Sequence, residues 1–196
     1  MHLDETSNEV VAFESNTSKL YGMSRTLFIA LLAMFCALTT VATIVFIIPI
    51  PSTSGYFNLG DAMVMLSGIL LGPAGGFLAG GFGSAMGDLA LGFPVYAPFT
   101  FIIKGSEGLV VGVISRYSED AKRLRPWDIL AVVLGAIVML SGYYVAEVMF
   151  IGYPPAAALF ELLAFNIFQV ISGGIVSLLV GPALRGFLSD YKSKTR

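Results

Sequence analysis

The 196-residue chain has a single histidine, His2, a single cysteine, Cys36, and charged residues at only 12% of its positions. Each shortage excludes something. One histidine near the start builds neither a histidine metal site nor a serine–histidine nucleophile, and one cysteine cannot close a disulfide within the chain. No glycine-rich loop ends in Lys-Ser or Lys-Thr, because Gly72-Pro73-Ala74-Gly75-Gly76 lacks the lysine, so that route to ATP is closed. Nothing in the residues calls for a cofactor. A formal net charge of −2 with no basic stripe argues against nucleic acid as a partner.

What is abundant is apolar. Hydrophobic residues make up 56% of the chain, whereas an ordinary soluble domain carries about a quarter charged residues. Such a chain cannot cover itself with polar surface, so lipid is its solvent. A helix needs about 20 apolar residues to cross the hydrocarbon core, and the sequence divides into six apolar stretches, the second of them shorter than the rest. They run from about Thr26 to Ile48, Gly60 to Leu71, Ala74 to Leu91, Phe99 to Ser115, Ile129 to Phe150 and Ala156 to Val180 or a little beyond. Pro49-Ile50-Pro51, Gly72-Pro73, Gly92 with Pro94, and Gly152-Tyr153-Pro154-Pro155 punctuate them as turns. Gly76, Gly80, Gly83 and Gly87 share one helical face, which lets another backbone approach. The expected organisation is a polar cytoplasmic tail over 1–24, a six-helix membrane domain over 25–188, and a basic cytoplasmic tail over 189–196. Residues 4–14 are acidic where a signal peptide would be basic, so the first span is expected to be retained.

Lysines and arginines orient the bundle. Lys19 and Arg25, then Arg116, Lys122, Arg123 and Arg125, then Arg185, Lys192, Lys194 and Arg196 all fall on one side of a six-span chain. The loops at 49–59, 92–98 and 151–155 contain neither residue, the asymmetry that marks cytoplasmic and external sides. Both termini are therefore expected in the cytoplasm, and the segment from Arg116 to Asp128 in water.

Ionisable residues inside spans cost about 2.5–3.5 kcal/mol each on insertion scales and mark candidate functional positions. Asp61, Asp88, Lys104, Glu107, Glu147 and Glu161, with Asn166 and Gln169, all fall in the outer half of the bundle under this topology. Lys104 and Glu107 share a helix face, as do Asn166 and Gln169, and Tyr143, Tyr144 and Glu147 put aromatic rings and a carboxylate close together. With Tyr56, Asn58 and Tyr96 from the outer loops, these residues outline a polar and aromatic pocket suited to a neutral or weakly basic heteroaromatic solute. The competing reading is structural: Lys104 pairs with Glu107 or Asp88, and the boundary charges Asp61, Asp88 and Glu161 reach for water.

Several ordered motifs carry a resemblance. Tyr56-Phe57-Asn58-Leu59-Gly60-Asp61-Ala62, Leu71-Gly72-Pro73, Gly83-Ser84-Ala85-Met86-Gly87-Asp88-Leu89, Tyr96-Ala97-Pro98-Phe99-Thr100, Ile103-Lys104-Gly105 and Glu107-Gly108 occur in that order. From about Arg25 to Leu188 the chain resembles the substrate-binding S components of energy-coupling factor vitamin transporters, nearest the branch for riboflavin and hydroxymethylpyrimidine or pyridoxine uptake. The resemblance implies six helices with cytoplasmic ends in a prokaryotic cell membrane, and two kinds of partner: a transmembrane coupling protein and a pair of cytoplasmic ATPases. It implies a docking face for the coupling protein at Ala33-Met34-Phe35-Cys36-Ala37, with Ala30 one turn before. It also implies that Tyr56, Asn58, Lys104, Glu107, Tyr143, Tyr144, Glu147, Asn166 and Gln169 occupy the places that hold the solute. A different class, a self-contained proton-coupled secondary transporter, would spread its carboxylates across the membrane in repeated halves. An intramembrane enzyme would need a nucleophile and base that the chain lacks.

Overall fold

The computed structural model describes residues 19–20, 23–50, 55–116 and 122–194, with side chains described over 23–50, 56–116 and 122–190. Most of the expected N-terminal tail and residues 51–54 of the loop expected outside the membrane lie outside these residues. Among the described residues, five helical stretches are long and apolar enough to cross a membrane: Arg25–Val45, Gly60–Leu91, Ala97–Ser115, Pro126–Ile151 and Pro155–Asp190. Two short antiparallel ribbons complete the fold, Lys19–Leu20 (β1) with Met23–Ser24 (β2), and Ile48–Ile50 (β3) with Gly55–Phe57 (β4).

The first helix, Arg25–Val45 (α1), is started by Ser24, whose hydroxyl accepts the Leu27 N–H at 3.2 Å. Hydrocarbon offers no water to a hydroxyl, so Thr39 and Thr43 donate back to the carbonyls of Phe35 and Thr39, both at 2.8 Å. Thr40 also donates across to the Gly83 carbonyl at 2.8 Å, tying α1 to the next helix. Beyond α1 the sequence suggested a plain turn at Pro49-Ile50-Pro51. Instead Pro49 sits in β3 opposite Tyr56. A two-stranded ribbon has only edge strands, and a proline without an N–H is tolerated there.

The second helical stretch, Gly60–Leu91 (α2), folds back on itself. Gly72 has φ 71° and ψ −168°, a conformation that a side chain would obstruct, and Pro73 after it has no N–H to continue the ladder. The arms 60–71 and 73–91 lie against each other, with Val64 abutting Gly80 and Gly68 abutting Gly76. In an unbroken helix Val64 and Gly80 would stand roughly 24 Å apart. This hairpin forms the centre of the bundle, and it packs most extensively on Ala97–Ser115 (α3) and on α1. The glycines make that possible: Gly76 and Gly108 meet backbone to backbone, where a methyl on either would overlap the other chain. Gly83 and Gly87 meet Thr39 and Thr43 of α1.

The helix Pro126–Val145 (α4) continues through a π-helical turn at Ala146–Ile151. After it come the short helix Pro155–Glu161 (α5), a second π-helical turn at Leu162–Asn166, and Ile167–Lys194 (α6). Two expectations change here. Asp128 was placed in a water-exposed loop; it lies in the first turn of α4, fully buried, and binds the Arg185 guanidinium through both oxygens at 3.0 and 2.9 Å. The fork-to-fork pairing compensates both charges away from water. The last helix also runs past Val180 and through Pro182 to Lys194, into the stretch expected to be a tail.

Large apolar side chains ring the outside. Ile29, Ile137, Phe168, Leu179 and Phe187 are all more than half exposed, a belt that only lipid or a partner can cover.

Candidate functional site

At one end of the bundle, opposite Gly72 and the Asp128–Arg185 pair, the helix ends converge on a cavity. Its atom-free space, mouth included, is about 430 Å³. The last turn of α2 brings Asp88. Gly92, at φ 83°, caps that turn by donating to the Asp88 and Leu89 carbonyls, and Phe93 N–H reaches the Asp88 carbonyl at 2.8 Å. The β3–β4 ribbon folds Tyr56 over this corner: its ring meets Phe93 at 5.0 Å between centroids and its hydroxyl donates to Asp88 Oδ1. Burial, and then the neighbouring Asp88 carboxylate, push the Tyr56 phenol above its usual range, so it remains the donor. Asp88 Oδ2 has no hydrogen-bond partner among the described residues. Neither has Ser84 Oγ, one helical turn earlier on the same face.

A second group lies beside it on α3. Lys104, only 2% exposed, donates to Asp61 Oδ1 and to Glu107 Oε2, the latter at 3.2 Å. Its ammonium also stands 5.7 Å from the centre of the Tyr143 ring, whose hydroxyl pairs with Thr100 Oγ1 at 3.0 Å. A lone buried ammonium would be expensive, and two carboxylates compensate it. Asn58 ties the loop before α2 down: its Oδ1 accepts the Gly60 N–H at 2.8 Å, and its own backbone N–H donates to Gln169 Oε1 at 2.9 Å. The loop is thereby fixed to α6. On the remaining wall Glu161 faces the cavity, with Glu147 in electrostatic reach behind it. Burial first, then these two carboxylates, raise the Tyr96 phenol above its usual range.

Of the residues singled out by the sequence, Tyr56, Asn58, Asp88, Tyr96, Lys104, Tyr143, Asn166 and Gln169 line this one cavity. Glu107 is fully buried behind Lys104, and Glu147 is fully buried at the start of its π-helical turn; neither lines the space. Tyr144 does not line it either, since one residue along a helix turns the side chain by about 100°. The partner of Lys104 beside Glu107 is Asp61, not Asp88. Glu161, already conspicuous in the sequence as a charge within a span, lines the cavity too, and so do Thr43, Ser84, Thr100 and Met139. Ser84 and Thr100 had a readable signal, each standing four residues before a candidate, Asp88 and Lys104; Thr43 and Met139 had none. Five carboxyl groups and one ammonium surround the site. Ala30, Ala33 and Ala37 lie far from it, on an exposed stripe of α1 with Met34 and Leu38.

Comparison with known proteins agrees over nearly the whole chain. The family model described as ECF-type riboflavin transporter, S component, matches residues 23–186. An uncharacterised protein of Pyrococcus woesei is 42% identical over 146 residues, covering 74% of this chain and 93% of that one. The thiamine precursor transporter HmpT of Lactococcus lactis subsp. cremoris (strain MG1363) is 31% identical over 167 residues, 84% of this chain and 92% of its own. A multi-pass bundle of long apolar helices, with a buried polar cavity at one end and a family match from residue 23 to 186, identifies the chain as a member of the ECF-type riboflavin transporter S-component family.

Proposed function

We propose that this chain captures a small water-soluble vitamin or vitamin precursor at the outer face of a prokaryotic cell membrane and delivers it to an ATP-driven importer. The observation that carries the reading is the polarity of the bundle. The cavity, ringed by tyrosines and polar side chains, lies at one end, and the described lysine and arginine clusters lie at the other. Counting the two arms of α2 as separate crossings gives six, with both termini cytoplasmic and the cavity facing out, in keeping with the distribution of Lys and Arg. The solute is a single-ring compound of the hydroxymethylpyrimidine or pyridoxine kind, or riboflavin. The kinship with a thiamine precursor transporter supports the first of these. Energy comes from partners, a transmembrane coupling protein and two cytoplasmic ATPases. The coupling protein docks on the exposed small-residue stripe Ala30, Ala33 and Ala37, where backbones can approach closely.

Reconstitution tests this directly. Vesicles holding the chain with the coupling protein and ATPases are expected to accumulate radiolabelled solute when ATP is inside, and vesicles holding the chain alone are not. Accumulation by the chain alone, driven by a proton gradient, would replace this reading with that of a secondary transporter. Mass spectrometry of small molecules retained through purification identifies the solute.

A further inference from the structure

We propose that Asp88 and Ser84 form an acceptor edge that reads an amino group on the solute, so that the site selects aminopyrimidines over ring analogues without the amine. The inference rests on the reading of the chain as a solute-capture subunit and deepens it. Asp88 and Ser84 line the cavity, and each carries a buried polar atom, Asp88 Oδ2 and Ser84 Oγ, with no hydrogen-bond partner among the described residues. Both residues are 3% exposed. They stand one turn apart on the same face of α2, side by side, and the Tyr56 hydroxyl occupies the other Asp88 oxygen. A carboxylate is acceptor-only. What it lacks is a donor, and an exocyclic amine on a flat ring supplies two N–H groups in one plane.

The opposite need appears at Lys104. Its ammonium has three donors, of which Asp61 and Glu107 take two. The third is left for an acceptor in the cavity, such as a ring nitrogen or a hydroxymethyl oxygen. Thr100, whose side chain hydrogen-bonds the Asp88 carboxylate, stands one helical turn before Lys104 on α3. Asp88 and Lys104 line the same cavity, with Tyr56, Tyr96 and Tyr143 to flank the faces of a flat ring between them. A solute with a donor on one edge and an acceptor on the other satisfies both poles. Pyridoxine and riboflavin have no exocyclic amine to offer.

Calorimetry on the purified full-length chain decides the matter with two probes, 4-amino-5-hydroxymethyl-2-methylpyrimidine and the same ring with hydrogen in place of the amine. The wild-type chain is expected to prefer the amine by about 10- to 100-fold, the usual worth of a hydrogen bond to a charged group. In Asp88→Ala that ratio is expected to collapse to about 2-fold or less, with Asp88→Asn and Ser84→Ala in between. If Asp88→Ala elutes aggregated, the two milder variants carry the comparison. Equal affinity for both probes in the wild type, or an unchanged ratio in the variants, overturns the inference. Wild-type binding of pyridoxine or riboflavin alone also overturns it while the capture reading stands. Failure to bind any of the four compounds removes both.

Discussion

Replacing Lys104 by methionine isolates the energetics of the buried charge group beneath the cavity. The side chain keeps its length and loses its charge, and Asp61 and Glu107, both fully buried, are left facing each other without a counterion. Removing one partner of a buried ion pair typically costs about 3–5 kcal/mol, most of it the price of the stranded charge. For a chain of this size 1 kcal/mol corresponds to about 2–4 °C in Tm, so Lys104→Met is expected to melt roughly 6–20 °C below the wild type in detergent. The decisive comparison is the triple variant Asp61→Asn, Lys104→Met, Glu107→Gln, which removes all three charges. It is expected to regain most of the loss, because no uncompensated charge remains. Thermal melting followed by circular dichroism measures both. A single variant within about 2 °C of the wild type, or a triple variant as unstable as the single one, refutes the reasoning that stranded carboxylates set the cost.

At the other end of the bundle Arg185→Met strands Asp128, so it is expected to lower stability by about 3–5 kcal/mol while leaving solute affinity, measured by calorimetry, unchanged. In a Cys36→Ser background, cysteines at Lys122 and Val95, which are 59% and 61% exposed, are expected to react with a membrane-impermeant maleimide from opposite sides of the membrane, Val95→Cys from outside. Labelling of both from one side removes the six-crossing topology. Ala33→Trp with Ala37→Trp is expected to keep solute affinity within about 2-fold but abolish ATP-driven uptake and co-purification of the coupling protein, since bulky rings hold the two helices apart. Wild-type uptake by that variant moves the docking face elsewhere.

Much of the architecture is written locally. A long apolar run can be satisfied in lipid only as a helix, so composition and length sufficed to place α1, α3 and α4 to within a few residues. Gly72-Pro73 announced the reversal in α2 for an equally local reason: that φ favours glycine, and proline cannot continue the ladder. Local chemistry misjudged Pro49, whose strand pairing depends on residues beyond the turn, and Asp128, whose burial depends on an arginine 57 positions later.

The polar membrane residues were visible one by one, because an ionisable group in hydrocarbon is conspicuous wherever it stands. How they pair was not. Lys104 does pair with Glu107 on its own helix, as its spacing suggested, but only the packing of the α2 hairpin on α3 brought Asp61 to it rather than Asp88. The same packing turned Glu107 away from the cavity and brought Ser84 and Thr100 into it. Residue type and helical period say which side chains share a face. The close approach of Gly76 to Gly108 sets the rotation and depth of one helix against another, and those two quantities decide which face looks into the cavity and which charge meets which.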